Sequence, residues 1–113
     1  MSEGMGVLVA NEPLAYREVI SAAFKELRAH IRVHTAEPAD LDKELLRVAP
    51  GLVVCSRATA LVERRVPAWV ELYPDRTSGA VVSLAGEKTT FEEMNFDTLL
   101  SILDEAERLY ESV

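Results

Sequence analysis

The chain reads as an α/β protein: a mostly parallel five-stranded sheet in the order 2-1-3-4-5, sandwiched between two helix layers, with strand 5 antiparallel through a hairpin from strand 4. Three observations predict this. The first half alternates strand, helix, strand, helix, strand, an order that pairs strands in parallel through right-handed crossovers. The runs GVLVA (6–10) and GLVVC (51–55) are apolar throughout, as strands buried on both faces are, so both belong in the middle of the sheet. Only PDRTSG (74–79) separates the last two strand cores, and a parallel crossover needs about a dozen residues or more.

Each element follows from local pattern. The first strand is β-branched at Val7 and Val9. Pro13 then opens LAYREVISAAFKELRAH (14–30), where Tyr16, Val19, Ile20, Ala23, Phe24 and Leu27 fall at helical spacing and mark one apolar stripe. IRVHT (31–35) alternates, with Ile31 and Val33 inward and Arg32 and His34 outward, as an edge strand does. In EPADLDKELLRVAP (37–50), Pro38 suits a first helical turn and Asp40 and Asp42 the positive end of the dipole. Its buried stripe is Leu41, Leu45, Leu46 and Val48, and Pro50-Gly51 ends it. After the third strand, SRATALVERRVP (56–67) has room for a short helix. AWVELYP (68–74) and GAVVSLAG (79–86) are the fourth and fifth strands, and EKTTFEEMN (87–95) reads as a loop. FDTLLSILDEAERLYES (96–112) is the last helix, with Asp97 as N-cap and Leu99, Leu100, Leu103, Ala106 and Tyr110 inside. Asp104 and Arg108 can pair on its outer side.

Composition narrows the function classes. The 113 residues fit one domain, and a net charge of −7 disfavours nucleic acid, whose phosphates it would repel. The single cysteine, Cys55, rules out an internal disulfide and a multi-cysteine metal site. No stretch approaches the ~20 apolar residues of a membrane span, and the start MSEGMGVLVANEP carries no basic leader region. A cytoplasmic protein without cofactor or metal is the expectation.

In open α/β sheets, ligands gather at the carboxyl ends of the strands where strand order reverses. Here the first strand ends in Asn11-Glu12 and the third in Cys55-Ser56. VLVANEP and APGLVVCS resemble the first and third strands of the receiver domain of bacterial two-component response regulators, the latter through an A-P-D-L-V-x-x-D pattern. The likeness covers roughly residues 6–56 and implies a flavodoxin-like fold. It sets Asn11 and Glu12 where the family's magnesium-binding acids stand and Ser56 where its phosphate-accepting aspartate stands. Lys88, after the fifth strand, falls in the place of the family's lysine, although Thr89 replaces the proline that usually follows. A serine hydroxyl with no adjacent base cannot form an acyl phosphate, and one magnesium carboxylate is missing. The resemblance therefore implies a pseudo-receiver that is not phosphorylated and not an enzyme, and that works by contact with a partner protein or with a second copy as a homodimer.

Other chemistries fit these residues less well. A Ser56–His34–Glu12 hydrolase triad would have to bridge strands about 10 Å apart and lacks an oxyanion loop. Cys55 reads as an inert core thiol. A small-molecule or nucleotide sensor using Asn11, Glu12, Ser56 and Lys88 is the alternative, although no glycine-rich phosphate loop follows the first strand. Trp69 and Tyr73, with Glu71 between them, read either as core or side-packing residues or as candidate interface anchors on an edge hairpin. The acidic outer face of the last helix, Asp104, Glu105, Glu107 and Glu111, would meet a basic partner.

Overall fold

Six strands form one mixed sheet in the order β2-β1-β3-β4-β5-β6 in the computed structural model, which describes residues 4–73 and 77–112. They are β1 (Gly6–Ala10), β2 (Arg32–Thr35), β3 (Leu52–Cys55), β4 (Ala68–Leu72), β5 (Ala80–Leu84) and β6 (Glu87–Phe91). The first four pair in parallel, and β4-β5-β6 pair antiparallel. The expected order holds for five strands, with the hairpin antiparallel; of its turn, Pro74, Asp75 and Arg76 lie outside the described residues. The sixth strand replaces the expected loop at 87–95. Its residues are largely exposed, so no alternation of burial marks them as a strand. The signal that exists is local. Ala85 and Gly86 both have positive φ, 53° and 87°, and link Leu84 to Glu87 as a two-residue hairpin turn.

Helices cover both faces of the sheet. Helices α1 (Leu14–Leu27) and α4 (Phe96–Glu111) pack on one face, against Val7, Val9, Leu52, Val54 and Val70. Helices α2 (Leu41–Val48) and α3 (Ala60–Arg65) pack on the other, against Leu8, Val53 and Trp69. β1 and β3 are buried at every position, as their unbroken apolar runs require.

Several side chains differ from the periodicity reading. On α1 the buried residues are Arg17, Ile20, Ser21 and Phe24, while Tyr16, Val19 and Leu27 are 51%, 65% and 50% exposed. Arg17 occupies a core-facing position because its charge is satisfied there: Nη1 donates to the Ala36 carbonyl at 3.0 Å and Nη2 to Glu37 Oε1 at 3.2 Å. The second helix begins as a 3-10 turn at Pro38–Asp40 and continues as α2, with Leu41 and Leu45 buried and Leu46 exposed.

On α4 the cap is Asn95, not Asp97. Asn95 is extended (φ −109°, ψ 172°) and its Oδ1 accepts from the Thr98 N–H at 2.8 Å, whereas Asp97 already lies within the first turn. Ile102 joins Leu99, Leu103 and Ala106 in the core, Leu100 is half-buried and Tyr110 is exposed. Asp104 turns towards α1 and is gripped by Arg28 through two hydrogen bonds of 2.8 and 2.9 Å, leaving Arg108 to pair with Glu105. No helix among the described residues is long and apolar enough to cross a membrane.

Candidate functional site

The parallel strands β1 to β4 end together at one edge of the sheet, and the loops that leave them there, with the N-termini of α1 and α4, build the candidate site. At its centre Ser56 and Glu12 are joined: the Ser56 hydroxyl oxygen accepts the Glu12 backbone N–H at 2.7 Å. That bond ties the β1–α1 loop to the β3–α3 loop. The Glu12–Pro13 peptide between that bond and α1 is cis. Neighbouring bonds hold the β3–α3 loop. The Ala58 N–H donates to Glu71 Oε2 at 2.8 Å, and Thr59 Oγ1 caps α3 through the Val62 N–H while its hydroxyl donates to Asp42 Oδ1 at 2.6 Å.

The residues singled out from sequence separate into three places. Asn11, Glu12 and Ser56 come together at the carboxyl edge. Asn11 is 1% exposed and its amide has no hydrogen-bond partner among the described residues, whereas the Glu12 carboxylate is exposed and unpaired among them. Lys88 lies elsewhere. Because β5 runs opposite to β4, β6 starts at the amino edge, and Lys88 pairs with Ser83, which pairs with Trp69. Its ammonium meets Glu63 at 2.9 Å and sits 5.6 Å from the centre of the Trp69 ring. A lysine after a parallel fifth strand would have ended in the crevice, and the antiparallel hairpin sends this one to the far side.

The aromatic pair divides too. β4 is interior, between β3 and β5, and Trp69 is only 4% exposed beneath the α3 face. Tyr73 has a positive φ of 52°, which breaks strand alternation and turns its ring to the α1–α4 face. There its hydroxyl donates to the Met94 carbonyl at 3.1 Å, and the ring meets Tyr16 edge-on, with centroids 6.1 Å apart. His34 shares the register of Leu8 on β1, on the α2–α3 face, and no hydrogen bond links it to Ser56 or Glu12. The Cys55 thiol is buried, and burial, reinforced by the Glu71 charge, pushes its pKa up to about 12. Among the described residues no three His, Cys, Asp or Glu side chains cluster to hold a metal ion.

Two hollows open along this edge. A crevice of about 650 Å³ is lined by Glu12, Tyr16, Tyr73, Ser78, Glu93 and Asn95. An apolar groove of about 260 Å³ continues from it between α1 and α4, past Val19, Ile20, Leu72, Phe96 and Leu99. Tyr16, Tyr73, Met94 and Asn95 border both. Gly79 allows the chain to close beside them, since a Cβ there would lie 2.1 Å from the Phe91 carbonyl oxygen. A larger hollow of about 850 Å³ lies at the opposite, amino edge, but its Glu107 carboxylate is already held by His30 at 2.6 Å. Tyr16 and Glu93 are the site residues that sequence reasoning missed. Tyr16 carries helical periodicity and so resembles a core residue, and Glu93 falls in a segment without pattern. No known family model, curated protein or solved structure matches the chain.

Proposed function

We propose that the chain is a receiver-like regulatory module that takes no phosphoryl group and acts through contact with another protein. The observation that carries this reading is the exposed apolar stripe on α1, Tyr16, Val19 and Leu27, whose first two members line the groove that α1 forms with α4. Half-exposed tyrosine and aliphatic side chains next to a concave apolar surface are what interface cores use. A partner with an apolar ridge and a basic rim suits a chain of net charge −7. The loss of the phosphoryl chemistry is supported by Ser56, whose hydroxyl is engaged as an acceptor, and by Lys88, which is paired with Glu63. Val19→Asp places a charge on the stripe without touching the core; it should abolish capture of the partner from cell extract while leaving the melting temperature unchanged. Incubation with acetyl phosphate and magnesium should leave the intact mass unaltered, and the gain of one phosphoryl group would overturn the reading.

A second reading is favoured by the crevice itself. A hollow of about 650 Å³ with convergent polar groups at the carboxyl edge is where open α/β sheets bind small molecules, so the module can also act as a sensor.

A further inference from the structure

We propose that the crevice and the groove together bind an aliphatic amine, with its ammonium head between Glu12 and Glu93 against the rings of Tyr16 and Tyr73 and its hydrocarbon chain along the groove between α1 and α4. The inference deepens the sensor reading and rests on it.

The crevice brings together the groups that recognise an organic cation. Glu12 and Glu93 both line it, both are exposed, and neither carboxylate has an ion-pair partner among the described residues. Tyr16 and Tyr73 meet at 68° and 6.1 Å, which gives the crevice an aromatic corner whose negative ring faces attract a cation. No described cationic side chain lines the crevice. The N-termini of α1 and α4 also point here and oppose a cation. Each supplies roughly half a positive charge, so the two carboxylates outweigh them by about one unit. The Asn95 side chain further satisfies the α4 terminus by accepting the Thr98 N–H.

The groove selects the rest of the ligand. It joins the crevice through Tyr16, Tyr73, Met94 and Asn95 and is walled by Val19, Ile20, Leu72, Phe96 and Leu99. A short alkyl chain removes apolar surface from water there, and a polar tail gains nothing from those walls. A nucleotide is disfavoured, since its phosphates would meet Glu12 and Glu93. Tyr73 adopts a positive φ to hold its ring in this corner, a conformation a bulky residue takes only where its surroundings enforce it. The same head-group chemistry is presented by a free amine and by a lysine of a docked segment.

The test is a two-dimensional amide NMR titration of the full chain at neutral pH with n-hexylamine, 1-hexanol and hexanoate. Saturable shifts at the amides of Glu12, Tyr16, Tyr73 and Glu93 are expected with n-hexylamine, with 1-hexanol weaker by roughly tenfold. The double variant Glu12→Gln, Glu93→Gln should reduce hexylamine affinity to that of the alcohol and leave the rest of the spectrum in place. Equal affinity for amine and alcohol, or unchanged amine affinity in the double variant, overturns the proposal. Shifts with hexanoate but not hexylamine overturn it while leaving a sensor of opposite charge preference, and silence from all three ligands overturns it while leaving only a sensor for ligands without an alkyl chain. N-acetyl-lysine-N-methylamide separates the sources. Binding comparable to hexylamine shows that a partner's lysine is accepted as well, and silence beside a positive hexylamine result restricts the site to a free amine.

Discussion

Cys55 and Ser56 are adjacent in sequence and opposite in what they can do. Cys55 ends β3 inside the sheet, and its thiol, pushed up to about 12, stays protonated and unreactive at neutral pH. A thiol reagent should therefore leave the native chain unmodified over hours and label one site per chain in denaturant; rapid native labelling would show that β3 opens. Ser56 is just past the strand, and its hydroxyl serves as a clasp between two loops. That much follows from the sequence, since an unbroken apolar run puts Cys55 indoors and its end puts Ser56 at the edge. What the run does not encode is the partner of Ser56, because the Glu12 N–H comes from 44 residues away. The burial of Trp69 is open in the sequence for a related reason. Aromatic content alone does not distinguish an anchor from a core residue, and burial under α3 depends on β4 gaining a neighbour on each side.

Elements with strong periodicity or unbroken apolar runs were legible, and those specified by backbone pairing were not. β1, β3, α1 and α4 could be read from their own residues. β6 could not, because a strand exposed along most of its length owes its existence to hydrogen bonds with β5, and its composition of Glu, Lys and Thr resembles a loop. The start of α4 shows the same limit at finer grain. Asn95 and Asp97 are both good capping residues, and only the extended backbone at Asn95 decides between them. Asn95→Ala should lower stability by about 1 kcal/mol in urea denaturation, whereas Asp97→Ala should cost less, through the dipole alone. Equal losses would mean that the cap assignment is wrong.

Across the whole molecule, one cluster joins parts of the chain that are distant in sequence. At the C-terminal end of α1, Arg28 grips Asp104 and His30 meets Glu107, so the two helices on that face are fastened at the amino edge of the sheet. The hydrogen bond from Arg28 holds the Asp104 carboxyl below its ordinary range. A depressed carboxyl stabilises the fold above its unfolded value, about 3.9, and that contribution is lost as pH falls through the lower folded value. Asp104→Asn should accordingly be modestly less stable than the parent at pH 7, and the gap should close as both are taken towards pH 3. A gap independent of pH would show that the pair acts by packing. The charge is partly exposed, so added salt should narrow the gap at pH 7 as well.

The hairpin pair β5–β6 has a consequence of parity. β4 runs towards the carboxyl edge, β5 runs back and β6 returns, so two reversals cancel and α4 starts from the same edge as α1. A chain with one reversal would have delivered the last helix from the other side, and Asn95 and Glu93 with it. The even number of turns brings a helix N-terminus and a carboxylate from each half of the chain to a shared mouth. A fold that departs from the simple parallel plan by two strands thus keeps the polarity of that plan at the carboxyl-edge crevice.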